Sequence, residues 1–170
     1  MRLLNILGAV IATGAVGGAA VIGGCATAAY PDLGRAKSEE RALFIGDVAP
    51  GRASKKGAVP VAAQFFNTSN KTYKYVVLGV VAYNRVGDPI RERGDETALV
   101  DLRFTGPLPP RRTPGIVKWP RVWYASALTC IEVRRVRLVH MDSSERVIEG
   151  GELLSMLSRR LQKGCRGVKA

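Results

Sequence analysis

The chain has 170 residues, of which 26 are Lys or Arg and 14 are Asp or Glu, giving a formal net charge of +12. This length suits one domain with an adequate hydrophobic core, so it does not require metals or many disulfides for stability. The positive charge favours anionic neighbours, but the basic residues are scattered rather than gathered in one tract with interleaved aromatics, which favours a solvated basic surface over a nucleic-acid site.

The first 24 residues form an apolar, acid-free segment in which Arg2 is the only charged side chain. A charged start, an apolar run and small residues near its end are typical of an export signal. The segment is followed by Cys25 in the sequence Ile22-Gly23-Gly24-Cys25, which resembles the lipobox of bacterial lipoproteins. The resemblance implies that residues 1–24 are a lipoprotein signal peptide and that Cys25 becomes a lipid-modified N-terminus, which holds the protein on a membrane.

Two other interpretations of the N-terminus stay open. Ala26-Thr27-Ala28 fits the A-x-A rule for ordinary cleavage, which would discard Cys25 and release a soluble protein. The segment is also long enough to be an uncleaved membrane anchor, although six glycines weaken such a helix and no basic cluster follows it. The lipoprotein resemblance implies a bacterial envelope location, and Ala26 in place of the aspartate associated with inner-membrane retention favours the outer membrane, facing the periplasm.

Residues 25–57 are predicted to be the lipidated N-terminus and a tether. This stretch is mixed in charge, poor in aromatic residues and interrupted by prolines and glycines. A short helix could form near residues 38–44, with Ser38 as a cap and Glu39 and Glu40 in its first turn, but the run is too short to be stable without packing.

Residues 58–149 are predicted to form a β-sandwich, because short apolar and aromatic runs alternate with turn residues. One irregularity is expected after Thr129, where Ile131 and Val133 keep one alternation phase and Val136 and Leu138 keep the other. A β-bulge at the intervening arginines would turn both pairs toward one core. The predicted strands are 59–66, 73–84, 98–105, 117–124, 127–140 and 146–148.

Residues 150–170 are predicted to be a C-terminal helix and tail. Four leucines recur at helical spacing and indicate an amphipathic stripe that packs on the core. These leucines are Leu153, Leu154, Leu157 and Leu161.

Residues 67–76 (NTSNKTYKYV) and 81–88 (VAYNRVGD) resemble the FxLYD-like family of immunoglobulin-like modules in bacterial envelope proteins. Residues 106–110 and 119–124, with Cys130, are similar to motifs of uncharacterised exported β-sandwich proteins. The chain has Tyr83-Asn84 where the family more typically has Tyr-Asp. The resemblance implies an immunoglobulin-like antiparallel β-sandwich with a binding or structural role and no common catalytic residues.

Several residues are candidates for chemistry or binding. Trp119, Arg121 and Trp123 are the first candidates for a partner surface, although alternating aromatic residues on a strand are more typical of a core. Cys130 and Cys165 form a disulfide in one interpretation, since an exported chain meets oxidising conditions; in the other, Cys130 is a core residue and Cys165 a free thiol.

The candidate for a catalytic site is the segment His140-Met141-Asp142-Ser143-Ser144, which contains the only histidine of the chain. Consecutive residues of this kind more often make a turn than a triad, and no motif predicts a metal or a nucleotide cofactor. The sequence therefore favours a non-catalytic, lipid-anchored protein that binds another envelope component or supports an assembly. The alternatives are a hydrolytic enzyme with an unrecognised site and an electrostatic binder of anionic envelope polymers.

Overall fold

The computed structural model describes residues 30–91 and 97–165, so the predicted signal peptide and Cys25 lie outside the described residues. Seven strands and three short helices follow one another along the described chain. They are α1 (Leu33–Ser38), β1 (Phe44–Pro50), β2 (Val59–Phe66), β3 (Tyr73–Asn84), β4 (Leu99–Leu108), β5 (Ile116–Trp123), β6 (Leu128–His140), β7 (Glu145–Ile148), α2 (Gly150–Met156) and α3 (Arg159–Gln162).

The strands form two antiparallel sheets, one of three strands in the order β1-β2-β5 and one of four in the order β4-β3-β6-β7. The chain crosses between the sheets after β2, β4 and β5, so two of the neighbouring pairs, β2–β5 and β3–β6, join strands that are not consecutive in the sequence. Apolar residues on alternate positions of both sheets meet in one core. The predicted β-sandwich fold, mainly β with short C-terminal helices, is confirmed.

The predicted bulge in β6 is present. Gly79 pairs with Arg135 while the next residue, Val80, pairs with Val133, which leaves Arg134 as the extra residue. The shift keeps both apolar pairs of β6 on the core side. Ile131, Val133, Val136 and Leu138 are all buried.

The range predicted to be a tether contains a strand and a helix. β1 contributes Ile45 and Val48 to the core, and Phe44 packs with Leu33 of α1 in a second, smaller apolar cluster. The helix that residues 38–44 could have formed is not present, since α1 ends at Ser38 and the chain is extended from Phe44 onward. Burial on both faces of β1 is the physical reason: it stabilises an extended segment that composition alone describes as a linker.

The predicted C-terminal helix is divided in two at Leu157, whose backbone is extended. Leu157 forms a parallel bridge with Ile45, and the amide of Ser158 donates to the Ile45 carbonyl at 2.9 Å. The Ser158 hydroxyl donates to the Gly46 carbonyl at 2.8 Å. The predicted leucine stripe is wrong in part, because Leu154 is 51% exposed. The segment breaks its helix here in order to pair with the edge of β1.

Candidate functional site

The predicted partner surface of Trp119, Arg121 and Trp123 is not one surface. Trp123 is fully buried in the core. Trp119 pairs with the buried Val61 and is itself half-buried. Its indole Nε1 donates to the carbonyl of Arg103 at 2.9 Å, which joins the edge of β5 to the edge of β4. Both tryptophans therefore stabilise the sandwich, and only Arg121 is exposed.

The segment from His140 to Ser144 is the turn between β6 and β7. The amide and hydroxyl of Ser144 donate to Asp142 Oδ1 at 2.9 and 2.6 Å, and these bonds, the hydroxyl first, lower the pKa of the Asp142 carboxyl. The His140 ring lies 5.3 Å from the ring of Tyr73. The acid and the serine thus bind each other within the turn. In residues 30–91 and 97–165, no group of three or more His, Cys, Asp or Glu is placed to hold a metal ion.

Cys130 and Cys165 are joined by a disulfide. The amide of Cys165 also donates to Glu132 Oε1 at 2.8 Å. These two contacts hold the C-terminal segment against β6, beyond the point where the same segment pairs with β1.

The outer face of the four-stranded sheet carries a row of charged residues that the sequence analysis did not single out. Val77 of β3 pairs with Arg103 of β4 on one side and with Arg137 of β6 on the other. Two residues further along β3, Gly79 pairs with Asp101 and Arg135 in the same way. Because alternate residues of a strand share a face, these charges line one side of the sheet.

A groove of about 240 Å³ lies on this face, and we name it the cationic groove. The guanidinium of Arg103 lies 3.7 Å from the centre of the Tyr75 ring, and Lys74 Nζ lies 5.5 Å from the same centre. Lys74 Nζ is also 3.5 Å from the hydroxyl of Ser143. The lining of the cationic groove includes Lys74, Tyr75, Arg103, Arg137, Ser143 and Glu145.

The charges of the groove are unevenly paired. Arg137 lies 3.6 Å from Asp101 and 3.6 Å from Glu145. Among the described residues, neither Lys74 nor Arg103 has a carboxylate within ion-pairing distance. Two cations are therefore gathered at one tyrosine ring without an acidic partner in the described chain.

Gly79 allows the neighbouring ion pair to form. Arg135 lies across β3 and donates to the Asp101 carboxylate at 3.1 and 3.2 Å. A Cβ on Gly79 would be 2.4 Å from Arg135 Cγ, so any side chain there would displace the arginine. Asp101 is consequently shared by Arg135 and Arg137, which leaves it little capacity to neutralise the rest of the groove.

This arrangement is suited to binding an anion rather than to catalysing the formation or cleavage of covalent bonds. A guanidinium that stacks on an aromatic ring leaves its in-plane N–H groups free to bind a ligand. A lysine and a hydroxyl beside it add further hydrogen-bond donors. Phosphate and carboxylate oxygens are the acceptors that such donors bind most strongly.

Comparison of the chain with protein-family models, with curated proteins and with solved structures finds no match. The resemblance to immunoglobulin-like envelope modules therefore stays a prediction. Within the described ranges, none of the helices has the length and apolar character needed to cross a membrane.

Proposed function

We propose that this is an exported protein held on a bacterial envelope membrane by lipid on Cys25, and that its sandwich is a non-catalytic module that binds an anionic envelope component. The N-terminal sequence supports the export and the anchor. The observation that supports the binding function is the pair of cations, Lys74 and Arg103, placed at the Tyr75 ring without carboxylate partners in the described chain.

Anion binding explains why those two cations lie together. Like charges at an exposed ring repel each other weakly, because solvent screens them, and a bridging anion converts the repulsion into two attractions. The groove extends from Arg103 on β4 over β3 to Arg137 on β6. A ligand with several anionic groups would contact three strands at once, so an anionic polymer or a phosphate-bearing glycan fits the groove better than a single small ion.

The hydrolytic alternative has no observation in its favour. Its candidate residues were those around His140, and the side chains of Asp142 and Ser144 are bonded to each other in the turn. The groove supplies donors and positive charge: its two hydroxyl-bearing residues, Tyr75 and Ser143, contact cations, and its carboxylate, Glu145, is paired with Arg137.

The test is binding of a soluble polyanion to the purified mature protein in neutral detergent. Polyphosphate and polyglutamate serve as the phosphate and carboxylate probes, and the dissociation constant is measured by calorimetry over a range of salt. The variant K74Q/R103Q removes the two unpaired cations. The control K118Q/R121Q removes the same charge from β5 and includes the predicted partner residue Arg121.

We expect K74Q/R103Q to weaken binding about tenfold or more, since each charge-assisted contact contributes on the order of 1 kcal/mol at an exposed site. The control should change affinity little, and binding should weaken as salt rises. Equal weakening by both double variants would mean that net charge alone attracts the polyanion, which would contradict the groove as the site.

A further inference from the structure

Tyr30, the first described residue, is built into the domain. Its hydroxyl donates to Gln64 Oε1 at 2.8 Å, and its ring meets the rings of Phe44 and Phe66 edge-on, with centres 5.9 and 5.8 Å apart. The ring lies directly on Gly46, where a Cβ would be only 2.6 Å away. The folded domain therefore includes Tyr30, which lies well inside the range 25–57 that was predicted to be a tether.

This position limits the distance between the domain and its anchor. Cys25 precedes Tyr30 by five residues, and a fully extended chain of that length spans at most about 18 Å. We infer that the sandwich lies directly on the membrane, with the surface around Tyr30 against anionic lipid headgroups. The inference rests on the proposed function, because it requires the lipid on Cys25.

We name the surface around Tyr30 the anchor face, and its outermost charges are those of two arginines. Arg159 pairs with Asp32 at 3.1 Å, and Arg160 pairs with Asp47 at 3.3 Å. The arginine side chains are 78% and 73% exposed, whereas those of the aspartates are 23% and 31% exposed. The carboxylates therefore lie beneath the guanidinium groups, and the outermost charge is positive.

The fold fixes these arginines close to Tyr30. Ser158, immediately before them, is bonded to β1 through both its amide and its hydroxyl, and its hydroxyl also accepts from the Leu161 amide. A groove of about 310 Å³ lies between this segment and Tyr30. It is lined by Tyr30, Pro31, Asp32, Gly46, Asp47, Ser158, Arg159 and Arg160.

Headgroup phosphates match this face better than another protein does. The reach of the anchor brings the face close to the membrane surface, and arginine offers two parallel N–H groups to a phosphate on a long side chain that adapts to depth. Basic residues next to an anchor strengthen binding to the membrane surface when the leaflet is anionic, and contribute little when the leaflet is uncharged.

The experiment uses the lipidated full-length protein in vesicles of phosphatidylcholine alone or of phosphatidylcholine mixed with phosphatidylglycerol. A donor fluorophore is attached at Gly34→Cys in α1, where a side chain meets no neighbour, or at Val86→Cys in the β3–β4 turn, which is 80% exposed. Energy transfer to an acceptor on the lipid headgroups reports which part of the domain is near the membrane. The intact mass of the same sample reports acylation of Cys25.

We expect transfer from position 34 to exceed transfer from position 86, and to rise when phosphatidylglycerol is present. R159Q/R160Q should abolish that rise, while the control K55Q/K56Q, which removes two exposed cations from the β1–β2 connection, should retain it. In phosphatidylcholine alone, R159Q/R160Q and the wild type should give the same transfer. If the variant and the wild type differ in energy transfer in phosphatidylcholine vesicles, the variant acts through the loss of its pairs with Asp32 and Asp47, and the inference is overturned.

Failure of the inference and failure of the anchor give different results. Acylated protein whose transfer from position 34 is unaffected by phosphatidylglycerol and by R159Q/R160Q overturns the inference and leaves the lipid anchor intact. Protein with an unmodified Cys25, or one that begins near Ala29, overturns both.

Discussion

Replacement of Asn67 by alanine should destabilise the domain strongly. Asn67 is fully buried between β2 and β3. Its Nδ2 lies 2.7, 3.1 and 2.9 Å from the carbonyl oxygens of Lys71, Leu108 and Pro109. Its Oδ1 accepts from the amide and the hydroxyl of Ser69 at 3.1 and 2.8 Å. One side chain thus joins the β2–β3 connection to the end of β4.

The cost follows from the groups that would be left without partners. The amide has two hydrogens for three carbonyls, so the substitution removes about two full donor bonds as well as both bonds from Ser69. The Leu108 carbonyl and the Ser69 amide are bonded in buried positions, and an unpaired buried group costs about 1 to 3 kcal/mol. We expect the free energy of unfolding to fall by about 3 to 5 kcal/mol, out of a typical total of about 5 to 15 kcal/mol.

The assay is urea unfolding followed by fluorescence, for which the fully buried Trp123 is the reporter. Asn70→Ala is the matched control, because it makes the same chemical change in the same connection at an exposed position. The control should change the free energy by less than about 0.5 kcal/mol. A loss below about 1 kcal/mol for Asn67→Ala, or one equal to that of the control, would refute the argument from buried hydrogen bonds.

Two further predictions concern the disulfide and the buried tyrosine. Cys165→Ser should lower the free energy of unfolding by about 3 to 4 kcal/mol in the chain-entropy model, because the bridge closes a separation of 35 residues. A reductant should lower the stability of the wild type by the same amount and should not change that of the variant. Burial raises the pKa of Tyr73, and a hydrogen bond with Ser69 opposes this only in part. Above about pH 10 the unfolded chain therefore releases that proton while the folded chain keeps it. Stability should accordingly be unaffected by this group below about pH 10 and should fall as the pH rises further, and a Tyr73→Phe variant that loses stability as steeply would contradict the assignment.

The features predicted from the sequence are those that depend on local alternation. Ile131 and Val136 lie on opposite phases of one strand, and only an inserted residue lets both reach the core, so the bulge at Arg134 followed from the pattern. Turns were equally local, because residues such as Gly87 adopt positive φ at little cost. Such features need no knowledge of which strands are neighbours.

The sequence did not predict β1, because both faces of this strand are buried and its apolar residues do not alternate. Phe44 packs against the α1 cluster while Ile45 enters the main core, so adjacent residues are both buried and no alternation is visible. Gly46 then interrupts the run in order to admit the ring of Tyr30. In the sequence these features are indistinguishable from those of a linker, because the residues that cover the strand come from the segment before it.

The cationic groove was missed for a different reason. Lys74, Arg103 and Arg137 lie on three strands, and nothing in the sequence distinguishes them from the other basic residues. Only the register that sets Val77 between Arg103 and Arg137 brings them to one face. A cross-strand site of this kind is fixed by pairing, and the sequence pattern of a single strand does not contain it.

The sandwich places the two basic surfaces on opposite sides. Tyr30 lies on Gly46 and bonds Gln64, so it covers the outer face of the three-stranded sheet, whereas the cationic groove lies on the outer face of the four-stranded sheet. A domain seated on headgroups through the anchor face would therefore direct the groove away from its own leaflet. The two surfaces share no residue, so their effects should be additive: R159Q/R160Q should leave polyanion affinity unchanged, and K74Q/R103Q should leave the distance from the membrane unchanged. Cross-effects between the two variants would mean that one diffuse basic surface, rather than two separate sites, attracts both anionic partners.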